Sequence, residues 1–266
     1  MTKHPLQDPV DRLVDYLKDA RSLYTIIEEQ LARTRADRLA GGAATGRGRP
    51  RSEWKSLNRA VLVASVGAVE AFYEDLALTA IASNPARYTP PENGWYPIAG
   101  SRGIIQTPNP FNLAKLFWTF FRYDPRTDWD IKVPASSVDL GVGSSSWRSK
   151  TAAHTGPQAV AFMDAMVQVR HGFAHQEAKH LATHAGIVQR TPTGGLSIQS
   201  HHALNSISAV VQVAIQSAEG LGRELQLAGE FRWIKSFSDA SWEPLLADTP
   251  VAASIRADWG RVPAGF

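Results

Sequence analysis

Between Asp11 and Leu39 the apolar residues Leu13, Val14, Leu17, Leu23, Ile26, Ile27 and Leu31 approximate the i, i+3, i+4, i+7 spacing of one helical face. This spacing predicts a single long amphipathic helix. Gly41 to Pro50 cannot continue it, because glycine is entropically costly in a helix and proline lacks the amide donor; the stretch predicts a mobile, basic loop. Helix restarts with Ser52 placed as an N-cap. From Ala60 to Ala82 the chain is apolar on nearly every side apart from Ser65, Glu70, Tyr73, Glu74, Asp75 and Thr79, which predicts a helix central to a bundle.

Asn84 to Ile105 is rich in Pro, Gly and Asn and reads as a long irregular connection. Asn109-Pro110 then opens a short helix to Phe121, with Leu113, Leu116, Phe117, Phe120 and Phe121 forming an apolar face. Its aromatic residues read as core in preference to a base-stacking platform. Arg122 to Thr155 again reads as irregular. Gly156-Pro157 begins a helix through Ala159, Phe162, Met163, Met166 and Val169, and 186–200 alternates around a central turn, predicting a small hairpin. His202 to Leu227 returns to helical spacing, and a tail with Trp233, Trp242 and Trp259 follows. No internal repeat or sustained heptad is apparent. The fold expected is all-α: one bundle domain over 1–228, with a basic loop at 41–51, irregular insertions at 84–108 and 123–155, and a β-hairpin near 186–200. Residues 229–266 form an extension that packs on the bundle or on a partner subunit.

Composition adds limits to this picture. The chain has 266 residues, 44% hydrophobic and 20% charged, which suffices for a buried core without staples. The absence of cysteine excludes disulfides, thiolate zinc sites, iron–sulfur clusters and cysteine nucleophiles. With no apolar leader and no long uninterrupted apolar segment, the expectation is a cytoplasmic protein with no membrane partner. The net charge of +3 is mild, but Arg33 to Arg59 carries eight bases against two acids, Asp37 and Glu53. Arg47, Arg49 and Arg51 in its loop are candidate RNA contacts, against the alternative of a solvated basic loop. Arg148 and Lys150, beside Trp147, are further candidates.

Six of the eight histidines lie between His171 and His202. His171 and His175, and likewise His180 and His184, have the i, i+4 spacing of many zinc sites. No H-E-x-x-H is present and no carboxylate plainly completes a third ligand, so the expectation is no metal and no cofactor. Arg170 and His175 suit phosphodiester chemistry instead: a guanidinium binds phosphate oxygens and an imidazole transfers protons near neutral pH. In RNA the 2′-hydroxyl is an internal nucleophile, so orientation and charge stabilisation suffice. Residues five apart on a helix are rotated about 140° from one another. Either Gly172 loosens the helix or a two-fold homodimer joins His175 of one subunit to Arg170 of the other, and the dimer is the preferred solution. The alternative is that Arg170, His171 and His175 only cap a helix C-terminus, where cations are favourable. Glu70 and Glu74 share a helical face, either as a solvated edge or as support for an arginine.

Arg170-His171-Gly172-Phe173-Ala174-His175 resembles the R-x4-H motif of the HEPN superfamily of helical ribonucleases, in which a polar residue follows the arginine. Val61 to Leu76 is similar to the second-helix pattern of the RiboL-PSP-HEPN branch, and Pro108-Asn109-Pro110 through Phe117 resembles that branch's short helix before the motif. The likeness spans roughly 57–178. It implies a HEPN-like bundle and a homodimeric, metal-independent endoribonuclease with Arg170 and His175 catalytic and His171 supporting them. It also implies an RNA substrate, a toxin or antiviral-defence setting, and restraint by a separate antitoxin or sensor. A catalytically inactive HEPN-like module that binds RNA or protein is the alternative.

Overall fold

A computed structural model describes residues 2–40, 52–84, 87, 99–100, 103–104, 109–134, 151–175, 184, 186–190 and 196–231. Within them the chain is mainly helical. The expected first helix is two segments, α1 (Gln7–Tyr16) and α2 (Lys18–Ala40), meeting at Leu17. The hydrogen-bond ladder carries across the junction, from Leu17 N to Leu13 O at 3.0 Å and from Arg21 N to Leu17 O at 2.9 Å. Leu6, Val10, Leu13, Leu17, Ala20, Tyr24 and Ile27 are all buried, in alternating steps of four and three. That is a heptad seam, contrary to the expectation of none. A straight helix drifts about 20° per heptad away from such a seam, and the chain divides at Leu17 into two helices whose seam residues all lie in the core.

The central helix is α3 (Ser52–Ser83), packed against α1, α2, α5 (Pro157–His175) and α6 (Ser200–Glu224). Its apolar circumference is the reason it can serve four neighbours. α3 and α6 run parallel, joined by bonds that advance together along both helices. Asn58 Nδ2 donates to Ile198 O at 3.0 Å, the Ser65 and Ser206 hydroxyls lie 3.2 Å apart, and the Tyr73 and Ser217 hydroxyls 2.7 Å apart. Burial pushes the Tyr73 hydroxyl well above the ordinary tyrosine range.

α4 (Pro110–Phe121) begins as its sequence signals: Asn109 Oδ1 accepts from Asn112 N at 2.8 Å, and Pro110 occupies the first turn, where its missing N–H costs nothing. Arg122 ends the helix in the left-handed region, φ 59°. Leu113, Leu116, Phe117 and Phe121 are buried, whereas Phe111 and Trp118 face outward.

The stretch expected to be irregular over 123–155 holds a 3-10 turn (Pro125–Thr127) and an antiparallel pair, β3 (Asp130–Pro134) with β4 (Thr151–Thr155). Ile131 and Val133 are buried, which gives this ribbon a core-facing side. The free edge of β3 is closed by side chains. Gln212 accepts from Lys132 N and donates to Lys132 O, both at 2.8 Å, and Gln216 does the same for Asp130 at 3.0 and 2.8 Å. Two amides one helical turn apart thus stand in for a neighbouring strand.

Two smaller antiparallel pairs are present: β1 (Ala99–Gly100) with β2 (Gly103–Ile104), within the stretch expected to be irregular, and β5 (Gln189–Arg190) with β6 (Leu196–Ser197). The second is the hairpin anticipated near 186–200. The start of the C-terminal extension pairs with the N-terminus. Lys3 and Glu230 bridge in parallel, and the Phe231 ring stacks on His4 at 3.8 Å. The extension's tryptophans lie outside the described residues. Among the described residues no helix is long and apolar enough to cross a membrane.

Candidate active site

α5 starts at Pro157, after Gly156 in the left-handed region at φ 51°, and buries Ala159, Phe162, Met163, Ala165, Met166 and Val167. This apolar stretch fixes the helix in the bundle and carries Arg170 and His171 on its last turns. Arg170 reaches α3, where its Nη2 donates to Glu70 Oε2 at 3.3 Å. Both side chains are partly exposed, 32% and 23%, so the pair contributes little to stability and mainly orients the guanidinium. Among the described residues a single nitrogen of the fork is used, which leaves the guanidinium further donors for an incoming anion.

Glu74 lies one turn beyond Glu70. Partial burial, then the neighbouring Glu70 charge, raises its carboxyl above the usual carboxylate range. The two carboxylates therefore differ: Glu70 holds the cation, and Glu74 sits where negative charge is disfavoured. Of the two roles weighed for Glu70, support of an arginine is the one its contact fits.

His171 is half-buried beside Arg170, and Phe173 is 47% exposed. The helix continues through Gly172 to His175, its last residue, so glycine does not break it. Positions 170 and 175 therefore project from α5 in directions about 140° apart. The His175 side chain lies outside the described residues, as do Arg47, Arg49, Arg51, Arg148 and Lys150.

The other clustered histidines have separate places. His184 Nδ1 accepts from Gly186 N at 3.1 Å, and its ring meets His154 at 4.9 Å and Phe162 at 5.1 Å. His202 Nδ1 accepts from Gln199 N at 2.9 Å and so caps the start of α6. His201 is buried beside it, with its pKa pushed down to about 4 by burial. His180 lies outside the described residues. Among the described residues no three His, Asp or Glu side chains converge as a metal site would require.

Sequence reasoning missed the exposed aromatic side of α4. Phe111 and Trp118 sit seven apart, a helical spacing that was visible, but the stronger apolar face around Leu113, Leu116 and Phe117 masked it. The chain matches no protein-family model, no curated protein and no solved structure.

Proposed function

We propose that this chain is a metal-independent endoribonuclease of HEPN-like architecture, acting as a homodimer through Arg170 and His175. The observation that carries the reading is the Arg170 guanidinium, which Glu70 of α3 holds and which stands on α5, the helix that ends in His175. Arg170 would grip a phosphate oxygen while His175 takes the proton of the adjacent 2′-hydroxyl. The 2′-oxygen forms a bond to phosphorus, the bond to the 5′-oxygen breaks, and the leaving oxygen takes up a proton. The products are a 2′,3′-cyclic phosphate and a 5′-hydroxyl. His171 supports the pair.

The two-fold dimer answers the rotation between positions 170 and 175, since an isologous interface sets one subunit's His175 beside the other's Arg170. Phe173, half exposed between them, suits such an interface. The resemblance implies a toxin or antiviral-defence effector, restrained by a separate antitoxin or sensor.

The test is incubation of wild type and His175→Ala with total RNA in excess chelator, followed by end-group analysis. Cleavage by wild type alone, leaving cyclic phosphates, is expected. Loss of wild-type cleavage in chelator rules out the metal-independent mechanism. The Glu70–Arg170 contact also favours a second reading, a HEPN-like module that binds RNA or protein without turnover, because the same pair also ties α3 to α5 and so gives Arg170 a purely structural role. Tight RNA binding with no cleaved product is the outcome that selects it.

A further inference from the structure

Phe111 is 67% and Trp118 54% exposed, on a helix whose other side is deeply buried. At about 100° per residue, Phe111, Lys115 and Trp118 fall within about 60° of arc, with the two rings about 10 Å apart along the axis. Arg122, the residue that ends the helix, comes next on the same side. The outward ridge of α4 therefore alternates ring, cation, ring, cation. α4 contains no acidic residue, and neither Lys115 nor Arg122 is held in an ion pair among the described residues.

A single exposed ring needs no explanation, but two on one ridge with cations interleaved make a patterned surface. A protein partner would accept the rings and Arg122 but gives no role to Lys115, a residue type depleted from interface centres, seated between the two rings. A single-stranded nucleic acid is well matched. Its bases offer ring faces for stacking and its backbone offers phosphates for the cations. In a duplex those faces are hidden in the stack.

We propose that the outward ridge of α4 is a stacking platform for single-stranded RNA, with Phe111 and Trp118 against bases and Lys115 and Arg122 against phosphates. The inference rests on the ribonuclease reading and names its substrate class, unpaired RNA in preference to duplex. α4 packs on α5, the helix of Arg170 and His175, so a strand held here lies on the element adjoining the candidate site.

The test uses the full chain carrying His175→Ala, so that cleavage does not consume the probe. Fluorescence anisotropy measures binding of a short oligouridylate and of an RNA duplex of equal length. The variants are Phe111→Ala with Trp118→Ala, and Lys115→Gln with Arg122→Asn; asparagine tolerates the left-handed backbone at 122. Single-strand binding is expected to weaken about tenfold or more in the ring variant, with duplex affinity unchanged. The cation variant is expected to weaken binding and flatten its salt dependence. Unchanged single-strand affinity in the ring variant overturns the platform, as does a parent protein that binds duplex as tightly as single strand. A ring variant that loses self-association in sedimentation assigns the ridge to a protein interface and also overturns it. Single-strand binding lost with the rings, in a protein whose wild type does not cleave RNA, keeps the platform and removes the ribonuclease. Cleavage by wild type with unchanged binding in the ring variant removes the platform alone.

Discussion

Glu70 and Arg170, a hundred positions apart in sequence, meet at 3.3 Å where α3 packs on α5. The contact orients a guanidinium without burying it, which separates its effect on activity from its effect on stability. On the proposed ribonuclease reading, Arg170→Ala is expected to lower RNA cleavage by about a hundredfold or more, the scale seen when a charge-stabilising donor is removed. Arg170→Lys does not restore it, because an ammonium lacks the planar fork. Glu70→Ala is expected to lower kcat/KM by about tenfold with little change in melting temperature, since partly exposed ion pairs stabilise weakly. Thermal melts beside cleavage kinetics check both. Full activity in Arg170→Ala removes this residue from the mechanism.

Gln212 closes the edge of β3 through both the N–H and the C=O of Lys132. Gln212→Leu keeps the volume but leaves two backbone groups unpaired. The expected cost is about 1–3 kcal/mol, read as a lower urea midpoint. Gln216 performs the same function one turn on, so the double variant tests whether the pair acts as a unit. Strictly additive losses would show that each amide holds its own peptide independently.

These glutamines mark where sequence reading stopped. α4 and α5 were legible because their start signals are local: Asn109 with Pro110, and Gly156 with Pro157. The 189–197 hairpin was legible from its alternation and central turn. β3 was not, since its pairing with β4 and its closure by α6 are long-range, and its own residues sit among turn formers. The heptad seam from Leu6 to Ile27 was obscured by Val14, Leu23 and Ile26, which add apolar residues off the seam. At the candidate site the place of 170–175 at the end of an apolar helix was legible, but the choice of Glu70 over Glu74 as the carboxylate that meets Arg170 is tertiary and no spacing rule supplies it.

Gly220 on α6 lies against the Asp128 carboxylate and the Tyr123 hydroxyl, and a Cβ there would collide with both. Tyr123 donates to Asp128 at 2.6 Å and Arg223 Nη2 donates to Asp128 at 3.0 Å, so the obstructing atoms are themselves held in place. Gly220→Ala is expected to destabilise the fold by about 1–3 kcal/mol, although alanine favours helix. Combining it with Tyr123→Phe removes the hydroxyl and should recover part of the loss. An isolated Gly220→Ala that melts at or above wild type would show that this contact yields easily.

His201 supplies a pH dependence with a definite sign. Burial pushes its pKa down to about 4 in the folded chain, against 6.5 for the ordinary side chain, so the unfolded chain binds the proton more readily. Stability is therefore full above pH 6.5 and falls as the pH drops from 6.5 towards 4. The loss attributable to His201 is at most ~3 kcal/mol. Glu28 and Glu74, whose carboxyl pKa values are raised by burial, act in the opposite sense, so wild type alone does not isolate the histidine. The informative comparison is wild type against His201→Gln, by urea denaturation at pH 7 and at pH 4.5. The variant should lose less stability between the two than wild type does. Equal losses would mean that the buried imidazole accepts its proton without disturbing the start of α6.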